Sequence, residues 1–208
     1  DLLATILARP DFPDDAVARA RRTLEVALAQ EREQPGQIAS RAFYQAAYRS
    51  HPYASWPDGE PETLALLTRQ AAQDFHRRYY VARNAVVAIV GAVDRPAAQA
   101  LAERLLAGLP AGEAAPALTA VLPLAQEANE RIHHPSAQAH ILLGAPVLTR
   151  DDPDYFPLVV GNHVLGASGL VSRVSNVIRE QRGLAYSAYS YFMPMRQTQG
   201  FGLVTKCR

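Results

Sequence analysis

The stretch from Val177 to Ser187, VIREQRGLAYS, is predicted to join a helix to a strand. Residues 170–181 are predicted to form the helix, and Gly183 permits the positive φ with which many helices end. Residues 184–192 form the predicted strand, and a turn of Met, Pro and Gln leads to a second strand over residues 199–206. A helix followed by a hairpin of strands is typical of a layered α+β fold.

Two side chains in this stretch, Arg179 and Tyr186, are candidates for a functional site. Arg179 is expected in the last turns of the helix and Tyr186 at the start of the strand. A guanidinium offers a fixed fork of donors and a phenol one more, a pair suited to holding a peptide carbonyl or an oxyanion. Both residues also have a structural explanation, because Arg complements a helix C-terminus and Tyr is a good strand residue.

Helices and strands are also predicted along the rest of the chain. Asn84–Val93 is almost continuously apolar, as a buried strand would be, and another strand is predicted over residues 137–144. The further predicted helices cover residues 14–34, 37–48, 62–67, 69–80, 95–106 and 155–165. This mixture of helices and mostly hairpin-connected strands again predicts an α+β fold.

Composition divides the chain into two halves. Residues 107–129 are rich in Gly, Pro, Ala and Glu and lack an amphipathic period, which predicts a linker between two packed units. The chain opens on an uncapped apolar stretch, residues 2–7, and closes inside an alternating strand, residues 201–208. Natural domains more often end in polar segments, so we expect a piece of a longer protein.

Composition and charge exclude several classes of function. The 208 residues are 49% hydrophobic and 20% charged, as in a globular rather than a disordered protein. A formal net charge of +1 gives no reason to expect a nucleic-acid partner. The single cysteine, Cys207, excludes internal disulfides and a cysteine-built zinc site. No apolar run approaches the roughly 18–20 residues of a membrane span.

The histidines do not form a metal-binding motif. Neither H-E-x-x-H nor its inverted form, H-x-x-E-H, occurs in the sequence. His133, His134 and His140 flank a predicted strand without an evident carboxylate partner, which favours a surface set over a zinc site. His51 opens a turn in which the ring of Tyr53 is expected to pack inward.

Short motifs occur along the chain in a distinctive order. They are HPY at 51–53 with Gly59, LLT at 66–68, FHRRYY at 75–80, RN at 83–84, VAIVG at 87–91, QAHILLG at 138–144, DPDY at 152–155, LG at 165–166, SRV at 172–174, IRE at 178–180 and GLAYS at 183–187. Their order and spacing resemble the insulinase/pitrilysin family of inverted-zincin metallopeptidases, closest to its shorter bacterial and mitochondrial-processing branch. The resemblance covers nearly the whole chain from about Phe12 onward.

The resemblance implies two related α+β rolls, each a mostly antiparallel sheet covered by helices, which close around an unfolded peptide. Residues 1–112 would be the latter part of the first roll, 113–129 the linker, and 130–208 the opening part of the second. In this family an Arg and a Tyr seven positions later help to hold the substrate at the reacting centre. Arg179 and Tyr186 match that spacing and context.

The resemblance also implies that this chain holds no zinc. Family members bind zinc through the two His of H-x-x-E-H, which would lie upstream of this chain, and through a downstream Glu. The corresponding helix places Ala18 at the position of that Glu, and a methyl group cannot coordinate a cation; Asp15 would serve only in a register shifted by three. We therefore expect zinc in a homologous partner subunit, with Arg179 and Tyr186 acting on its substrate.

The leading hypothesis is thus an inactive subunit that positions unfolded peptide for a zinc-bearing partner, with no nucleic acid and no membrane span. Two alternatives stay open: a piece of an active zinc endopeptidase whose motif lies upstream, and a non-enzymatic core or scaffold subunit. The periplasm is the expected compartment. A further hypothesis is that the two half-rolls complement each other, within one chain or by exchange in a homodimer.

Overall fold

The computed structural model describes residues 2–197 and 199–207, with side chains at all of these except 194, 199–203 and 205–207. The α-helices in these ranges are α1 (Leu2–Ala8), α2 (Asp14–Glu31), α3 (Pro35–Tyr48), α4 (Pro61–Leu64), α5 (Arg69–Tyr79), α6 (Arg95–Leu106), α7 (Tyr155–Asn162) and α8 (Arg173–Ser175). The strands are β1 (Ala139–Pro146), β2 (Ala185–Pro194) and β3 (Gln199–Cys207). The predicted α+β fold is confirmed.

Capping residues begin several of these helices. The side chains of Thr68 and Asp94 accept hydrogen bonds from backbone N–H groups at the starts of α5 and α6, at 3.1 and 2.9 Å. Pro35, which lies between the predicted helices 14–34 and 37–48, is the first residue of α3. The first position of a helix tolerates Pro because an N–H there has no intrahelical partner. No helix in the described ranges is both long enough and apolar enough to span a membrane.

The predicted strand at Asn84–Val93 is wrong. A short 3₁₀ turn covers Ala82–Asn84, and the apolar residues that follow pair with none of the described strands. The side chains of Val86 and Val90 are 95% and 100% exposed. The composition is that of a strand, but a strand forms only where a neighbouring strand supplies hydrogen-bond partners.

The described chain divides into two compact units. The first contains the described residues up to Val26 together with Glu60–Ala117. The second contains Ala27–Gly59 together with the described residues from Leu118 onward. The assignment of two half-rolls and a linker stays a prediction.

In the first unit, α5 contacts α1, the loop after it and the start of α2. Nε2 of His76 lies 2.7 Å from the carbonyl oxygen of Leu7, and the ring of Phe12 meets the His76 ring edge to face at 6.0 Å. The Arg69 guanidinium lies 3.6 Å from the Asp14 carboxylate at the start of α2. These contacts fix both α1 and the beginning of α2 against one helix.

The second unit contains a three-stranded antiparallel sheet with the order β1-β3-β2. On one face lies α3, where the Tyr44 hydroxyl donates to Sδ of Met193 at 2.8 Å and Gly36 approaches the ring of His140. On the other face of β2 lies a helical layer, which we define as residues 155–181. The layer contains α7, α8 and the short π- and 3₁₀-helical turns between and after them.

The loop between α3 and α4 is fixed by a half-buried ion pair. Nε1 of Trp56 donates to Oε2 of Glu31 at 2.8 Å, and the Arg41 guanidinium lies 3.8 Å from the same oxygen. Arg41 also lies over the Trp56 ring, 5.1 Å from its centroid, and donates to the carbonyl of Gly59. The loop therefore has a defined position in the second unit.

Candidate functional site

Arg179 lies in the last turn of the helical layer, the π-helical turn Asn176–Gln181. The carbonyls of Arg179 and Ile178 accept hydrogen bonds from the backbone N–H groups of Gly183 and Leu184, at 3.1 and 3.0 Å. Gly183 has a φ of +60°, a conformation that an L side chain adopts only at a cost. The predicted glycine stop is confirmed, and it turns the chain directly from Arg179 into β2.

Tyr186 is the extra residue of a β-bulge. The pairing of β2 with β3 skips one residue between Ala185 and Ser187. Ala185 and Ala188 are therefore both buried although three positions separate them, whereas the Tyr186 side chain is 75% exposed. In a regular strand that keeps Ala188 inward, Tyr186 would also point inward. The bulge turns the phenol towards solvent.

The structure brings the two sequence-predicted residues together. Cζ of Arg179 lies 5.8 Å from the centroid of the Tyr186 ring, within the range of a cation–π contact. Nε of Arg179 lies 3.2 Å from Oε1 of Glu180, and both side chains are partly exposed. Such a surface ion pair contributes little to the free energy of unfolding. It lies beside the guanidinium and leaves it partly exposed. The role of the pair in holding substrate stays a prediction.

A buried polar contact joins the helical layer to β2. The Ser190 hydroxyl donates to Oδ1 of Asn162 at 2.5 Å, and Nδ2 of Asn162 donates to the Ser190 carbonyl at 3.4 Å. Asn162 and Ser190 are only 8% and 1% exposed. At Gly166 the layer approaches so closely that an added Cβ would collide with the Ser190 side chain. The sequence analysis missed these residues, and a lone polar residue ending an apolar helix was the available signal.

The turn at His51 has a structural role. Nδ1 of His51 accepts a hydrogen bond from the backbone N–H of Tyr53 at 3.1 Å, and Nε2 lies 2.9 Å from the carbonyl oxygen of Thr119. The Tyr53 ring meets the Tyr48 ring edge to face at 5.6 Å. The predicted inward packing of this aromatic ring is confirmed.

Three tyrosines of the second unit have raised pKa values. Burial, followed by the neighbouring phenols of Tyr44, Tyr53 and Tyr191, raises the pKa of Tyr48 to about 12. Burial also raises the pKa of Tyr44 and of Tyr191. The rings of Tyr44 and Tyr48 stack at 5.9 Å. These phenols stay protonated near neutral pH, which suits packing rather than proton transfer.

The described residues do not fit a zinc ion. No group of three or more His, Cys, Asp or Glu side chains in the described ranges is placed to hold a metal. Ala18 lies on α2, at the position that the resemblance assigns to a ligand. Asp15, the alternative, lies on the surface of α2 and pairs with Arg19 at 3.3 Å. Nδ1 of His134 is buried without a hydrogen-bond partner, but in the part that the structure describes it belongs to no group of three or more candidate ligands.

Comparison with known proteins places this fold in a family. A family model described as the peptidase M16 inactive domain matches residues 66–208. The crystal structure of a peptidase M16 inactive domain from Pseudomonas fluorescens is 33% identical with a TM-score of 0.94, covering 99% of this chain and 50% of that one. A protease from Helicobacter pylori, which is 21% identical, has the same fold with a TM-score of 0.85. The match covers 99% of this chain and 50% of the Helicobacter chain.

Curated bacterial relatives carry the name uncharacterized zinc protease. One from Streptomyces coelicolor is 29% identical over 100% of this chain and 46% of its own length. One from Mycobacterium leprae is 30% identical over 91% of this chain and 43% of its own length. The chain thus spans about half the length of the curated relatives that it matches. The resemblance to the insulinase/pitrilysin metallopeptidases is confirmed, and the chain belongs to the peptidase M16 family, with residues 66–208 in its inactive domain.

Proposed function

We propose that the intact protein containing this chain is the zinc-free member of a peptidase pair. It would hold an unfolded peptide through Arg179 and Tyr186 while a homologous partner subunit supplies zinc and cleaves the peptide. The observation that carries the proposal is the exposed contact between the Arg179 guanidinium and the Tyr186 ring, at 5.8 Å. The family match and the absence of a fitting metal-ligand set in the described ranges support it.

The two side chains supply complementary recognition of a peptide. The guanidinium presents several N–H donors, and one carbonyl accepts two of them in a fork geometry. The phenol adds one O–H donor, and its ring restrains the guanidinium from one side. Closure of a partner over this exposed corner would exclude water and strengthen each hydrogen bond to the substrate.

The test uses the intact protein reconstituted with a zinc-bearing homologue from the same genome. A mixed library of quenched fluorescent peptides reports cleavage. We expect Arg179→Ala to lower kcat/KM by roughly 10- to 100-fold, the usual loss for a hydrogen bond to a charged group, and Tyr186→Phe to lower it by roughly 2- to 10-fold, the usual loss for a neutral hydrogen bond. The melting temperature of each variant should stay near that of the wild type, because both side chains are partly exposed.

Two matched controls lie on the same elements. Arg182→Ala removes an exposed guanidinium from the residue that follows the same helical turn, and Tyr189→Phe removes a half-exposed phenolic hydroxyl from the same strand. Both should leave kcat/KM unchanged. Cleavage that is insensitive to Arg179→Ala and Tyr186→Phe would rule out the proposed substrate contacts.

A second candidate function is favoured by the names of the relatives. Because they are called zinc proteases, the intact protein would itself bind zinc and cleave peptides through residues outside this chain. Metal analysis of the intact protein separates the candidates. One zinc per polypeptide supports the active peptidase, and a metal-free polypeptide that gains activity only with its partner supports the zinc-free subunit.

We also propose that the intact protein works in the periplasm. The support is the family resemblance, which includes exported bacterial relatives. Fractionation of cells that express the intact protein tests this proposal directly. Recovery with a cytoplasmic marker enzyme would contradict it.

A further inference from the structure

The geometry of Arg179 and Tyr186 depends on how two separate elements meet. Arg179 belongs to the helical layer and Tyr186 to β2, and only a short turn at Gly183 joins them. A small slide of the layer along the strand would change the 5.8 Å distance between the guanidinium and the ring. Some contact must therefore fix the layer in one register on β2.

Apolar packing does not supply a register by itself. The buried strand residues beneath the layer include two alanines, Ala185 and Ala188, and apolar contacts with such small side chains are non-directional. Gly166 allows a close approach at Ser190 but does not select one orientation. Hydrogen bonds are directional, and a buried polar group that loses its partner has no water to replace it.

We propose that Asn162 and Ser190 are positioning residues, whose paired buried hydrogen bonds set the register of the helical layer on β2 and so hold Arg179 over Tyr186. Asn162 is the last residue of α7, and Ser190 lies four residues beyond Tyr186 on the same strand. One amide both accepts from the Ser190 hydroxyl and donates to its carbonyl. Such a two-point contact is satisfied in only one register of the layer.

The inference rests on the proposed function for its biological meaning, but its test does not need peptide cleavage. The intact protein is labelled with ¹⁵N-arginine, and the Nε–Hε signal of Arg179 is identified by its loss in Arg179→Lys. The ring of Tyr186 shifts this signal, and Tyr186→Leu gives the position without the ring. The signal therefore reports the contact between the two side chains.

The decisive variant removes both polar partners together. Ser190→Ala alone leaves Oδ1 of the buried Asn162 amide without its donor and should lower the melting temperature. Adding Asn162→Leu replaces both partners by apolar groups and should recover much of that loss. If the pair sets the register, the Arg179 signal in the double variant stays displaced towards its position in Tyr186→Leu, despite the recovered stability. A wild-type Arg179 signal in the double variant would overturn the proposal.

Ser172→Ala is the matched control. Ser172 is fully buried in the same layer, but its hydroxyl caps α8 by accepting from the backbone N–H of Ser175 at 3.3 Å. This variant should lower the melting temperature without moving the Arg179 signal. An equal shift in Ser172→Ala and Ser190→Ala would show general loosening of the layer and would also overturn the proposal. Displaced Arg179 signals with unchanged peptide cleavage would leave the positioning role intact and contradict the proposed function instead.

Discussion

At the scale of single residues, Gly183 and Tyr186 determine the geometry of the candidate site. Gly183 ends the helical layer with a φ of +60°, and the bulge at Tyr186 turns the phenol outward three residues later. Between them the chain reverses from the turn that carries Arg179 into the strand that carries Tyr186. The turn at Gly183 and the bulge therefore bring together two side chains that lie seven positions apart in the sequence.

Replacing Gly183 should be costly, whereas replacing Gly161 should not. Gly183→Ala places a Cβ in a left-handed conformation, and we expect it to lower the free energy of unfolding by about 1–2 kcal/mol. Gly161 lies inside α7 with open space around its Cα, so Gly161→Ala should stabilise by about 0.4–1 kcal/mol. Urea titration of both variants measures the difference. Equal effects would contradict the conformational explanation.

Alkaline unfolding should depend on Tyr48. Its pKa rises from an ordinary 10.0 to about 12 in the folded chain, chiefly through burial. Above about pH 10 the unfolded phenol loses its proton while the folded phenol keeps it, so stability falls as the pH rises towards 12. In Tyr48→Phe this part of the loss should disappear, as measured by urea titrations across that range. Tyr80→Phe, at a half-exposed tyrosine, is the control and should keep the wild-type pH dependence.

At the scale of elements, the sequence predicted those helices and strands whose positions depend on neighbouring residues. The strands β1, β2 and β3 and the capped helices α5 and α6 lie close to their predicted positions, because alternation and capping act within a few residues. The single helix predicted over residues 170–181 is instead a 3₁₀ turn, α8 and a π-helical turn. Ser172 interrupts it, since its hydroxyl caps a new helix start.

Features that depend on contacts between residues far apart in the chain were not predicted from the sequence. The bulge at Tyr186 exists only in the pairing of β2 with β3, and the contact of Asn162 with Ser190 joins residues 28 positions apart. Arg179 and Tyr186 were named from their local pattern, but neither pattern stated that the guanidinium lies over the ring. The run at Asn84–Val93 failed as a strand for the same reason, because composition does not supply a pairing partner.

At the scale of the whole molecule, the first unit exposes a run of apolar side chains. Val86 and Val90 are almost fully exposed in a run that pairs with no described strand. An exposed run of apolar residues without a strand partner promotes association between chains. About half the length of the matched relatives lies outside the 208 residues. The 208-residue chain studied alone is therefore expected to self-associate.

Charged substitutions should suppress this self-association. Val86→Lys with Val90→Lys places two charges in the exposed run, and such charges oppose the pairing of this run with a strand of another chain. Sedimentation velocity should show the wild-type chain as dimers or larger species and the double variant mainly as monomers. Val171→Lys alters a valine of the helical layer that is also largely exposed, and it should not change the wild-type distribution. A monomeric wild-type chain would contradict both the expected association and the exchanged homodimer.

The bulge at Tyr186 has a consequence for how such proteins diverge. Because β2 holds one residue more than β3 at the bulge, deletion of Leu184 or Ala185 would restore regular alternation. The Tyr186 phenol would then face the interior, although the tyrosine itself would still be present in the sequence. Loss of the displayed phenol by such an indel would escape a comparison that scores residue identity alone. The number of residues between the glycine and the tyrosine is therefore a stricter criterion for an exposed phenol at this site than the identity of the two residues.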